Sequence, residues 1–252
     1  MTEVAERSVR LPRQAVVPLL LGVLMSFAPA PAISQTPRFE EFHTWTDVAT
    51  IYEFNDRFRY DGDYGVRGLF TDSDWTQLYL RPSVRYQARP WLLLHGGAGL
   101  FYSFFSGEDL PEIRPWVGVR FLGPRPGGWA ISNYFRLEYR AFYLKSSNEW
   151  DASFRGRWQL QATSPRFRIG SAREFYGLAS IEVFQEIGSS IEGTFGDRFR
   201  INAGLGRQFT EALRIELDYL FHVIRLPDEG GDLDLNDHVL RLRFFYRFKK
   251  KA

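Results

Sequence analysis

From Val48 to Phe248 the chain is a succession of segments in which apolar and charged residues alternate. The last is the clearest: Val239-Leu240-Arg241-Leu242-Arg243-Phe244-Phe245-Tyr246-Arg247-Phe248 carries Leu, Leu, Phe, Tyr and Phe on one parity and Val, Arg, Arg, Phe and Arg on the other. Period 2 sends the two sets to opposite faces of a strand. Eleven candidate strands follow from this pattern: 44–54, 57–70, 75–88, 91–105, 112–122, 129–144, 150–163, 173–186, 194–209, 212–225 and 237–248. Most reach the roughly 9–11 residues that a tilted membrane-spanning strand needs. Helical periodicity is not sustained in any window.

The two faces differ in chemistry. One carries Leu78, Leu80 and Val84; Leu92, Leu94 and Leu100; Ile113, Val117 and Val119; Phe135, Leu137 and Tyr139; Ile181 and Val183; Leu213, Ile215, Leu217 and Tyr219. The other carries Arg81 and Arg85; Glu112, Arg114 and Arg120; Arg136, Glu138 and Arg140; Arg155 and Arg157; Glu174, Glu182 and Glu186; Arg198 and Arg200; Arg214, Glu216 and Asp218; Arg241, Arg243 and Arg247. An Arg facing mid-bilayer hydrocarbon costs about 2–4 kcal/mol, so the charged face must be the enclosed one. The predicted fold is all-β: a single transmembrane, antiparallel, up-and-down β-barrel of 10–12 strands with an Arg- and Glu-rich lumen. Because single-chain bacterial barrels have even strand counts, twelve is preferred, with residues 36–43 as a short first strand.

Short connections (Asn55-Asp56, Arg89-Pro90, Pro124–Gly128, Thr210-Glu211) alternate with longer ones (Phe105–Pro111, Lys145–Glu149, Ile187–Gly193, Pro227–Asn236). That contrast predicts periplasmic turns at one rim and outer loops at the other. The segment 164–172 is long for the turn side.

The N-terminus refines the picture. Arg7, Arg10 and Arg13 precede an apolar run from Ala15 to Phe27 and a small, Pro-rich stretch to Ser34. These are the three regions of a secretory leader, too short to span a bilayer as a helix. Ala32-Ile33-Ser34 places cleavage after Ser34, with Ala32 as the alternative. Three parts are expected: a leader at 1–34, a barrel at 35–248 and a basic tail at 249–252. Without the leader the net charge stays near +1, which is no footprint for nucleic acid. The chain has no Cys, which excludes disulfides, thiolate metal sites and a lipoprotein anchor. Its aromatic content of 17% suits rings at two membrane interfaces.

Of the 32 basic residues 28 are Arg, Lys occurring only at 145, 249, 250 and 251. Arg grips carboxylates with a rigid fork and keeps its charge. Two readings of the charged face stay open: pairs that cross-link strands and fill a narrow bore, or a polar path in which unmatched Arg favours small anions.

Other constellations carry less. In the acidic stretch from Asp228 to Asp237, residues Asp232, Asp234 and Asn236 take the first three places of a calcium loop, but Asp237 and Arg243 occupy the sixth and twelfth. The motif requires Gly and Glu there and fails. The four His residues (43, 95, 222 and 238) have no metal-like spacing, so no metal or cofactor is expected. A lipid hydrolase would need a His beside a Ser at a rim. His238 with Ser189 or Ser190 is the candidate, but no Gly-x-Ser-x-Gly exists, and the expectation is a protein without enzymatic activity. Gly96, Gly97, Gly99, Gly204 and Gly206 sit mid-strand, where they bend strands or make room in the lumen.

In this order occur Trp45, Glu112-x-Arg114-x-Trp116, Arg136-x-Glu138-x-Arg140, Arg155-x-Arg157-x-x-Leu160, Glu182-x-Phe184, and Arg198-x-Arg200 followed by Gly204. With that ordered set the chain resembles the bacterial outer-membrane barrels grouped as the domain-of-unknown-function family 2490. The resemblance covers the mature chain and implies an outer-membrane location with no established activity. The aromatic-ended last strand is similar to the signal read by the barrel-insertion machinery, although Lys249, Lys250, Lys251 and Ala252 follow it. The expected surroundings are outer-membrane lipid and lipopolysaccharide.

Overall fold

The computed structural model describes residues 39–69, 75–105, 109–187, 198–225 and 233–248. The expected leader and basic tail lie outside the described residues. Twelve strands are present: β1 (Phe39–Glu53), β2 (Phe58–Leu69), β3 (Trp75–Arg89), β4 (Leu92–Phe105), β5 (Leu110–Leu122), β6 (Ala130–Leu144), β7 (Glu149–Thr163), β8 (Phe167–Ile169), β9 (Ala172–Ile187), β10 (Arg198–Gln208), β11 (Leu213–Arg225) and β12 (Leu233–Arg247). Neighbours in sequence pair antiparallel, β7 pairs with β9, and β12 returns to β1, closing the sheet. The wall therefore has eleven strands. The three-residue β8 is a small addition that pairs only with the start of β9.

The closing pair runs parallel, Phe39 opposite Leu235 through Ile51 opposite Arg247. It is extended by the amide of Phe248, which donates to the carbonyl of Ile51 at 2.9 Å. An even strand count requires the first and last strands to run in opposite senses. Here β1 starts at the loop rim, as β3, β5, β7 and β10 do, and β12 starts there too. A parallel ladder, evenly spaced and slanted, closes an odd wall without unpaired edges. Of the separate strand anticipated at 36–43, residues 36–38 lie outside the described residues and 39–43 form the start of β1.

Local chemistry explains the turns at the other rim. Asn55 Oδ1 accepts the amides of Arg57 and Phe58 at 2.9 Å, and Thr210 Oγ1 accepts those of Ala212 and Leu213 at 3.2 and 3.0 Å. Such Asx and Thr turns offer the backbone partners where the ladder stops. The β5–β6 turn uses left-handed Gly127 (φ 58°) and Gly128 (φ 83°). At the loop rim β6 and β7 are joined by the tight turn 145–148 rather than a long loop. Residues 233–236, placed in the acidic loop on sequence grounds, belong to β12.

The outer face is mostly apolar. Leu78, Leu80, Leu100, Ile113, Leu137, Leu205, Leu217 and Leu240 are all exposed, and Val117 reaches 62%. Among the described residues no second layer covers them. Rings flank this aliphatic belt on both sides: Phe58 with Tyr86, Trp91 with Phe121 and Tyr246 with Phe248 near the turns, and Tyr102 with Phe104, Tyr139 with Phe154 and Tyr143 with Trp150 near the loops. An exposed apolar band with aromatic borders thus encircles the barrel.

Candidate functional site: the charged lumen

Register determines which inward side chains meet. Glu138 stands opposite Arg155, and Arg155 opposite Glu186. Glu182 stands opposite Arg200. Glu216 faces Arg243, which on its other side faces Asp47. Opposite charges directly across a ladder stabilise it, so alternation of sign around the circumference builds the networks below.

The first network spans β5 to β10. Glu112 accepts Arg114 Nε at 2.6 Å and Nη2 at 2.5 Å, and also Arg140 Nε at 2.8 Å. Arg140 Nη1 reaches Glu186 at 3.0 Å, where Ser153 Oγ donates at 2.7 Å. Glu138 is 0% exposed and is held by Arg155 Nε (2.8 Å) and Nη2 (2.5 Å) and by Arg136. Glu182 bridges Arg157 Nε at 2.6 Å and Arg200 Nη1 at 2.9 Å. Buried rings pack between the forks. Arg114 lies 3.9 Å from the Phe101 ring and Arg140 4.6 Å from Phe142, while Arg155, Arg157 and Arg200 surround Phe184.

The second network joins β1, β2, β3, β11 and β12 around Asp47, also 0% exposed. Asp47 binds Arg241 and the Tyr79 hydroxyl, with Arg243 Nε at 3.8 Å. Tyr79 Oη lies 3.0 Å from Asp63, the partner of Arg81. Glu216 accepts Tyr176 Oη at 2.6 Å and Arg243 Nη1 at 3.3 Å. Asp218 is different: fully buried, it receives no hydrogen bond from the described residues. Gly204 makes room for it, since a Cβ there would collide with the Asp218 carboxylate.

Toward the turn rim the lumen opens into a cavity of about 500 Å³, lined among others by Arg59, Arg85, His95, Arg120, Arg125 and Ser132. Arg59 binds Asp61 at 2.7 Å. Arg120 donates to Ser132 Oγ at 3.0 Å and rests 4.6 Å from the Tyr134 ring. At the opposite rim Lys145 Nζ donates to Asp109 at 2.7 Å and to Tyr102 at 2.8 Å. The Lys145 bond holds the Asp109 carboxyl below the usual carboxylate range, and the Asp109 bond holds Lys145 above that of lysine.

Of the lumen residues anticipated from sequence, Arg81, Glu112, Arg114, Arg136, Glu138, Arg140, Arg155, Arg157, Glu182, Arg200, Glu216, Arg241 and Arg243 all fall within these two networks. Arg85 lines the cavity, Asp218 stands apart, and the side chain of Arg198 lies outside the described ones. Glu174 is not within the lumen: it sits exposed at the turn rim with φ 70° and pairs with Arg166. The sequence reading missed Asp47, Asp63, Arg59, Arg67, Tyr79 and the inward rings. For Asp47, Arg59, Asp63 and Arg67 the signal is the odd-numbered parity of β1 and β2, which is faint because Thr44, Thr46, Thr50, Gly62 and Gly68 dilute the apolar parity between them.

The remaining candidates separate. His238 faces outward, its Nδ1 2.6 Å from Tyr219 Oη, and Ser189 and Ser190 lie outside the described residues. Of the acidic stretch, 228–232 and the side chains of 233–236 lie outside the described set, and Asp237 turns inward, 3.8 Å from His43 and 3.7 Å from His222. Among the described residues no three His, Asp or Glu side chains converge as a metal cage.

Closure of the sheet, the apolar exterior and the ion-paired interior define an all-β barrel with a charged lumen. The chain belongs to the family described as protein of unknown function (DUF2490), which it matches over residues 42–231. No curated protein matches it. Among solved structures it is similar to the NanC porin in a rhombohedral crystal form, at 12% identity over 76% of this chain and 94% of that one, with a TM-score of 0.40.

Proposed function

We propose that this chain is an outer-membrane barrel whose lumen is closed through its middle and loop-side part, and that it acts through its rims and turn-side vestibule rather than as an open pore. The observation that carries this reading is the burial of the inward carboxylates: Asp47 and Glu138 at 0%, Glu182 at 1% and Glu112 at 3% exposure, each held by at least one guanidinium. A water-filled bore would wet at least one flank of each. The aliphatic belt and its two aromatic borders support the membrane location, and the leader-like N-terminus supports export to it. Lipid and lipopolysaccharide are then the barrel's surroundings, and the insertion machinery its route there.

Planar-bilayer recording tests the proposal. Wild-type protein should give no sustained conductance, whereas Glu138→Ala combined with Arg155→Ala, which removes two arms of the plug, should open a small pore. Stable wild-type channels contradict it. A second reading, a conduit opened by rearrangement, is favoured by the vestibule, which extends inward as far as Arg81 and Arg243 of the second network. That reading requires wild-type conductance that switches on and off.

A further inference from the structure

The vestibule has an excess of positive charge that the chain itself leaves unanswered. Eight guanidiniums and two carboxylates line it. Both carboxylates are taken, Asp61 by Arg59 and Asp63 by Arg81. Arg136, Arg214 and Arg243 turn toward Glu138 and Glu216 of the buried networks. Arg85, Arg120 and Arg125 remain, and among the described residues none of the three has a carboxylate within ion-pair distance. The register makes this costly. Arg85 stands directly opposite Arg59 on β2 and directly opposite His95 on β4, so like charges face each other across one ladder. The other such pair in this lumen, Arg136 opposite Arg157, has Glu138 and Glu182 to hold it.

Gly97 and Gly118, the inward residues beside His95 and opposite Arg136, let Ser83 and the Tyr134 ring pack close against the wall, where a Cβ at either glycine would collide with them. Ser83, on β3, and Ser132, which already accepts from Arg120, add hydroxyls to the lining. Three uncompensated forks, two hydroxyls and an open volume form a receptor for a tetrahedral oxyanion carrying two charges. Guanidinium matches phosphoryl oxygens two at a time.

We infer that the turn-side vestibule is a binding site for a small phosphate-bearing solute, held by Arg85, Arg120 and Arg125. Enclosure by the wall excludes a lipid headgroup, so the ligand comes from the aqueous side. The inference goes beyond the proposed function and is independent of it, because the site is complete whether the remainder of the lumen is closed or open.

Calorimetric titration of the full chain, refolded in detergent at low salt, tests it with inorganic phosphate as probe. Phosphate should bind saturably. Arg85→Gln and Arg120→Gln should each weaken it by about tenfold or more, the strength of one charge-assisted contact. Arg166→Gln, at the exposed rim pair, should leave it unchanged. Arg85→Lys, which keeps the charge and loses the fork, serves as the second variant if a Gln variant fails to show the mobility shift of a folded barrel, and it should weaken binding as well. Succinate should compete weakly. No saturable phosphate binding, binding indifferent to Arg85 and Arg120, or tighter binding of succinate than of phosphate would each overturn the assignment. Conductance is a separate measurement, so failure here and failure of the closed-lumen reading are distinguishable.

Discussion

The middle of the lumen and its turn-side vestibule are built from the same residue types on the same two-residue period, yet they are opposite in electrostatic state. In the middle, register places Glu138 against Arg155 and Asp47 against Arg243, and nearly every carboxylate is gripped at hydrogen-bond distance. In the vestibule, register places Arg59 against Arg85, and three guanidiniums have no carboxylate partner among the described residues. The difference teaches that an Arg-rich inward face does not define one function. Where carboxylates sit among the guanidiniums the side chains close the bore, and where they do not the bore stays open and charged. Burying an ion pair repays its desolvation only when geometry is good, so the matched region tolerates little damage while the unmatched one tolerates much.

The sharpest way to break this comparison is to remove one partner in each region. Glu138→Ala would strand Arg136 and Arg155 in a buried site, and should cost about 3–5 kcal/mol in denaturant unfolding from lipid vesicles. Arg85→Ala strands no carboxylate and should lose less than about 1 kcal/mol, within the range of an ordinary non-core substitution. Equal losses would erase the distinction. A second test contrasts the inside with the outside. Val117→Arg, on the exposed apolar face, should destabilise the vesicle-inserted barrel by about 2–4 kcal/mol and cost far less in a soluble form. A smaller effect sharpens the matched region itself. Asp47→Asn weakens charge-assisted bonds with Arg241 and should cost about 1.5–3 kcal/mol. Asp218→Asn, at a buried carboxylate that receives no hydrogen bond from the described residues, should lose nothing in the same unfolding assay.

Much of this was readable from alternation. Strand ends such as Ala130 and Thr163 lie within a residue of where periodicity places them, and the apolar and charged parities of β3 to β7 separate by face as expected. Alternation assigns a face but is blind to direction, which is why the parallel meeting of β1 with β12 was not legible. It is also blind to partners. Whether Arg85 meets Arg59 or a carboxylate depends on where each hairpin turns, and one residue of slip would change every pairing. Asp47 and Asp63 escaped notice for a third reason. Their strands present Thr, Gly and Tyr on the outer parity, so the contrast that marks Arg136 or Arg241 is missing around them.

Accessibility of the lumen to water tests the central claim most directly, and the absence of native cysteine makes it clean. Ser153, 3% exposed and bonded to Glu186, lies in the matched region, whereas Ser83 lines the vestibule. In the folded, membrane-inserted barrel a charged water-soluble maleimide should modify Ser83→Cys rapidly and leave Ser153→Cys untouched until the protein is denatured. Labelling of Ser153→Cys as fast as Ser83→Cys in the folded barrel would contradict a closed lumen.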